Sequence, residues 1–141
     1  MICLKPTIRP ATDADSERIQ ELLKANGLWV DGLDWTHLQN WYVAEHKDRT
    51  VGAVQILPGR PVGCLMYITV DSEYIGSGVG FILWQFSKAL LAAQGSDCVF
   101  AFTNNDWILN AADRLGLTIL DSFTLTAKRL PKIDRGTYVL Q

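Results

Sequence analysis

A chain of 141 residues with net charge −2 is sized for one domain with a sizeable core, residues 1–141, and its charge gives no electrostatic case for nucleic acid or an anionic membrane. Apolar residues make up 48% and charged residues 20%, the balance of an ordinary globular protein; no run approaches transmembrane length, and MICLKPTIRP has no long apolar stretch of the signal-peptide kind. Cys3, Cys64 and Cys98 are odd in number and match no zinc or redox spacing, so buried free thiols in a reducing, cytoplasmic compartment are expected.

In chain order, Thr7–Arg9 reads as a short strand closed by Pro10. Thr12 or Asp13 then caps a helix to about Asn26, with Ile19, Leu22 and Leu23 on one face and Glu17, Arg18, Glu21 and Lys24 elsewhere. Residues 28–40 are aromatic-rich, with a short second helix expected after Asp31 or Asp34. WYVAEH (41–46), TVGAVQIL (50–57) and VGCLMYITV (62–70) read as three strands joined by turns at KDR and PGRP. Residues 79–94 carry the strongest helical pattern, stopped by Gly95. DCVFAFT (97–103) is nearly all apolar, as in a strand buried on both faces. NDWILNAADRLG reads as a capped helix ending at Gly116, and residues 117–130 and 137–141 as closing strands with PKIDRG as their turn. The order β-α-α-β-β-β-α-β-α-β-β predicts a mixed α/β domain in which an antiparallel meander precedes a glycine-rich crossover.

That crossover, VDSEYIGSGVG (70–80), places glycine at 76, 78 and 80 between strand and helix. Helix N-terminal N–H groups are unpaired and electropositive, and glycine lets an anion approach them. The stretch therefore reads either as an anion cradle of backbone or as a tight turn with close helix–strand packing. Its spacing fails the dinucleotide fingerprint, whose third glycine would fall at 81, and it lacks the Lys-Ser or Lys-Thr of a phosphate-binding P-loop. A methyltransferase-like pattern would need an acid where Tyr74 stands.

Four segments, in order, resemble the GNAT superfamily of N-acetyltransferases. IRPATDADSERIQELL is similar to its first strand and helix, VGAVQI to its third strand, and GCLMYITVDSEYIGSGVGFILWQF to its fourth strand and Q/R-x-x-G-x-G/A cofactor loop. NDWILNAADRLGL resembles its N-x-x-A-x-x-F-Y-x-x-x-G-F segment. The resemblance implies a GNAT-like mixed, mostly antiparallel sheet, splayed between strands 4 and 5, with about four helices. It implies acetyl-CoA as co-substrate, its pyrophosphate on the amides of Ile75, Gly76, Ser77, Gly78, Val79 and Gly80. Its pantetheine arm would pair with main chain near Ile68 and Val70, and Asn105 would contact the same arm, although Asn105 also reads as a helix cap. Trp84 and Phe81 read as core.

Three positions depart from the family pattern: Ile75 replaces Arg or Gln, Ala112 replaces the helix tyrosine that protonates the leaving thiolate, and Cys64 takes the place of a glutamate. The implied activity is acetyl transfer to a primary amine, a small molecule or a protein N-terminus, by direct attack. A main-chain N–H near Ile68 would polarise the thioester, and the amine proton would leave through water to Glu45, Asp34 or a histidine. Trp29, Trp35, Trp41 and Tyr42, with Asp31 and Asp34, read either as an acceptor wall for a cationic amine or as core. The alternative function is a catalytically degenerate acyl-CoA-binding or protein-interaction module. No metal site, nucleic acid or membrane partner is expected; a homodimer through the closing strands 117–141 stays open.

Overall fold

The computed structural model describes residues 4–28, 35, 38–102, 117–120 and 136–140. Its contacts group into two units, one of Met1–Ile56 with Tyr67–Ser87 and the other of Leu57–Met66 with Lys88–Gln141. Together the elements make a mixed α/β fold.

In the first unit, β1 (Thr7–Pro10) leads to a 3-10 turn (Asp13–Asp15) and α1 (Ser16–Ala25). The Thr12 N–H donates to the Asp15 carboxylate at 2.7 Å while the Asp15 N–H donates to the Thr12 carbonyl at 2.9 Å. This reciprocal cap starts the helix where the sequence places it. Gly27, at φ +72°, lets the chain leave α1 in a left-handed turn. Ile19 and Leu23 join Leu38, Trp41, Val43 and Ala53 in one buried cluster, each large side chain worth about 1.5–3 kcal/mol of burial.

Strands β1, β2 (Trp41–His46), β3 (Arg49–Leu57) and β4 (Val62–Val70) neighbour one another in that order. β1 runs antiparallel to β2, with Thr7 opposite Glu45, and β2 antiparallel to β3. The β2–β3 turn is two residues, Lys47 (φ +50°) and Asp48 (φ +60°), the geometry that matches strand twist. Arg49, expected in the turn, therefore opens β3. Pro10, expected to close β1, is its last residue, tolerated because β1 is an edge strand. On the other face of β3, a Cβ at Gly52 would lie 2.9 Å from Leu83 Cδ1 and 3.1 Å from Val79 Cγ1. Helix α2 (Val79–Ala93) thus sits down directly on glycine backbone.

In the second unit the neighbours are β4, β5 (Cys98–Phe102), β7 (Gly136–Leu140) and β6 (Leu117–Leu120). β4 and β5 are parallel from Val62↔Cys98 to Leu65↔Ala101, and the register ends there although β4 continues to Val70. Cys98, Val99, Phe100 and Ala101 are all buried, as the apolar run predicts. β5 with β7 and β7 with β6 are also parallel. A parallel pair is not a hairpin, so β6 and β7 do not close the sheet as adjoining hairpin strands; of the expected turn PKIDRG, residues 131–135 lie outside the described residues and Gly136 opens β7.

Gly63 faces α2, its absent Cβ 2.6 Å from Leu91 Cδ2, and Val70 also faces α2, 3.5 Å from the Cβ position of Gly80. The helix expected at 105–116 lies outside the described residues, as does the short helix expected after Asp31 or Asp34 apart from residues 35 and 38–40, which are not helical. Among the described residues no helix is long and apolar enough to cross a membrane.

Candidate functional site

The glycine-rich crossover starts from a buried anchor. Asp71, 7% exposed, accepts the Glu73 N–H at 2.9 Å and is faced by Arg18 at 2.5 Å and Arg49 at 3.1 Å. The Glu73 N–H foremost, with the two guanidiniums, holds its carboxyl below the usual aspartate range against the opposing effect of burial. Arg49 also reaches Glu73 at 3.2 Å and lies 6.0 Å from the Tyr74 ring centroid. These contacts fix the 3-10 turn Ser72–Tyr74 that delivers the loop.

Within the loop, Ser77 is spent internally. Its N–H donates to the Tyr74 carbonyl at 3.1 Å, its hydroxyl donates to the same carbonyl, and its own carbonyl accepts from the Leu4 N–H at 2.9 Å. Gly76 (φ +85°) and Gly78 (φ +95°) hold left-handed backbone that side chains resist. The N–H of Ile82 donates to the Gly78 carbonyl at 3.0 Å. Among the described residues, no backbone carbonyl meets the N–H groups of Gly76, Gly78, Val79, Gly80 or Phe81. Four of these are the orphan donors at the positive end of α2, a 15-residue helix. Ile75 is 61% exposed beside them, and no described guanidinium substitutes for it, since Arg18 and Arg49 are turned onto Asp71. Phe81, expected in the core, is 49% exposed, whereas Trp84 is buried as expected.

The end of β4 offers a second set of main-chain groups. The Asp71 N–H donates to the Val51 carbonyl on β3 at 2.8 Å. A trans peptide points its C=O opposite to its N–H, so the Val70 carbonyl is turned away from β3. Its N–H follows, as do those of Ile68 two residues earlier. Both residues lie past Leu65, where the register with β5 ends.

The expected proton acceptors fare differently. Glu45 is ion-paired to Arg9, which also binds Asp15 at 2.8 and 2.9 Å; its carboxylate serves the β1–β2 edge. Asp34, Asn105, His37 and Ala112 lie outside the described residues. Burial pushes the Cys64 thiol up to about 11, so it is protonated at neutral pH and no nucleophile; burial raises Cys98 as well. Tyr67 stacks on Trp41 at 5.9 Å, and Trp35 meets Trp41 at 5.6 Å. Trp41, 2% exposed, is thus core, and Trp35 and Tyr67 pack against it. A shallow depression of about 410 Å3 lies between Pro10–Ala11 and Leu38–Tyr42.

Sequence reasoning missed Arg18, Arg49, Asp71 and Asn26. Asp71 carries a local signal, an aspartate two residues before the N–H it accepts. The arginines come from distant elements and carry none.

Residues 11–116 match the profile described as "Acetyltransferase (GNAT) family". No curated protein matches the sequence. Among solved structures, Ard1 from Thermoplasma volcanium superposes with a TM-score of 0.70 at 18% identity, covering 83% of this chain and 85% of that one. Rv2747 from Mycobacterium tuberculosis, in complex with CoA and NLQ, gives 0.64 at 20% identity, covering 74% and 69%. The diaminobutyrate acetyltransferase EctA from Paenibacillus lautus, in complex with L-2,4-diaminobutyric acid and coenzyme A, gives 0.63 at 16%, covering 79% and 72%. At these identities the likeness is one of fold.

Proposed function

Because the chain belongs to the GNAT acetyltransferase family, whose co-substrate is acetyl-CoA, we propose that it transfers acetyl from acetyl-CoA to a primary amine. The observation that carries this reading is the row of unpaired N–H groups at Gly76 and Gly78–Phe81, held open by two left-handed glycines. These donors would take the pyrophosphate. The Ile75 N–H, which likewise meets no backbone carbonyl among the described residues, would join them, and Ser77 would shape the loop without donating to it.

The main chain of Ile68 and Val70, facing away from β3, would pair with the pantetheine arm as an added strand. An N–H there would stabilise the oxyanion as a neutral amine attacks the thioester carbon. The C–N bond forms, the C–S bond breaks, and the thiolate, with a reference pKa near 8.5, leaves without a dedicated acid. The amine proton passes to water. Glu45 would have to surrender Arg9 to accept it, which favours Asp34 among the acidic candidates. Asn105 would complete the pantetheine contacts.

Isothermal titration with acetyl-CoA and coenzyme A tests the binding step, and release of free thiol across an amine panel tests transfer. Binding with turnover is expected. Binding without turnover would favour a catalytically degenerate acyl-CoA-binding module instead, a reading that Ile75, Cys64 and Ala112 together motivate; no heat at millimolar cofactor would remove the transferase and leave a protein-interaction module.

A further inference from the structure

Asn26 ends α1, and its side chain does more than close a helix. Its Nδ2 lies 3.0 Å from the Leu22 carbonyl, 2.6 Å from Thr69 Oγ1 and 2.9 Å from the Val70 carbonyl. Two protons thus face three acceptors, on the last turn of α1 and on the last two residues of β4.

The acceptors are not equally in need. Thr69, 3% exposed, donates its own hydroxyl to the Leu22 carbonyl at 3.1 Å. That carbonyl also takes the backbone N–H of Asn26 at 3.2 Å. The Val70 carbonyl is turned away from β3 and lies past the end of the β4–β5 register, and Asn26 is the side chain that meets it.

The consequence concerns one peptide plane. The Val70–Asp71 unit is held at its N–H by the Val51 carbonyl at 2.8 Å and at its C=O by Asn26 at 2.9 Å. A strand edge can receive an added strand only if its peptide planes are already fixed at the right tilt. With one strand neighbour among the described residues, this edge would otherwise lean and fray.

The geometry points to Asn26 as a positioning residue for the pantetheine arm, fixing the Val70 carbonyl so that the end of β4 is preformed for main-chain pairing with the cofactor. This rests on the acetyl-CoA reading. It also separates the two halves of the cofactor, because Asn26 touches the β4 edge and makes no described bond to residues 75–80.

The test uses two probes, coenzyme A and 3′-phospho-ADP, which carries the diphosphate but no pantetheine. Wild type, N26A and N26D are titrated with both, each below its own melting temperature. The aspartate keeps the size of the side chain and cannot donate. Both variants are expected to lose roughly five- to tenfold in affinity for coenzyme A, the worth of one hydrogen bond, and to keep 3′-phospho-ADP affinity within about twofold. An equal loss for both probes would mean a general structural role and overturn the proposal. So would unchanged or tighter coenzyme A binding. Failure of the wild type to bind coenzyme A would instead overturn the acetyl-CoA reading on which it stands.

Discussion

Ile75 shows how far a single residue can be read. The departure from Arg or Gln is visible in the sequence, and so is its chemical meaning, a lost charge beside the proposed phosphates. What was not visible is that Ile75 is 61% exposed and that two of the described guanidiniums, Arg18 and Arg49, are committed to Asp71. Restoring the cation therefore needs no repacking. I75R is expected to tighten coenzyme A binding about three- to tenfold at low salt, with the gain shrinking as ionic strength rises, because an exposed pair is screened. Calorimetric titration at two salt concentrations checks both parts. The glycines beside it were legible because positive φ selects for them. Ser77 was not, since nothing local tells that its N–H and hydroxyl both turn back onto Tyr74.

Elements were legible wherever one period ran unbroken. The α1 stripe, β2 and the bounds of β4 follow from spacing alone. Gly52 shows why the placement of α2 matters to the site. An added methyl would meet Leu83 Cδ1 at 2.9 Å, the Thr69 carbonyl at 3.0 Å and Val79 Cγ1 at 3.1 Å. Leu83 and Val79 are fully buried, and Val79 carries one of the loop donors. G52A is expected to destabilise the protein by about 1–3 kcal/mol by overpacking, measured by denaturant unfolding. It should also weaken coenzyme A binding through the displaced Val79 N–H.

At the scale of the whole molecule, Asp71 draws in arginines from two distant elements, and Asp15 holds Arg9, which also pairs with Glu45 on β2. Arg9 foremost holds Asp15 below the usual carboxylate range, and the Glu73 N–H, with Arg18 and Arg49, does the same for Asp71. A depressed folded-state pKa means that the unfolded chain binds protons more readily. The contribution is complete above the ordinary aspartate pKa of about 3.9 and is lost as pH falls below it. Thermal denaturation should show the melting temperature dropping between pH 5 and pH 3, and a D15N/D71N variant should be less stable at neutral pH with a flatter acid limb. By itself the sequence determined the helix and strand spans that hydrophobic period reveals, the family those spans spell out, and the glycine loop, because period and positive φ are properties of neighbouring residues. Tertiary structure alone decided that Glu45 answers to Arg9, that Asp71 gathers two arginines, that Phe81 faces solvent and that Asn26 clasps Val70. Each of those depends on groups brought together from far apart in the chain, and no local spacing encodes a meeting of that kind.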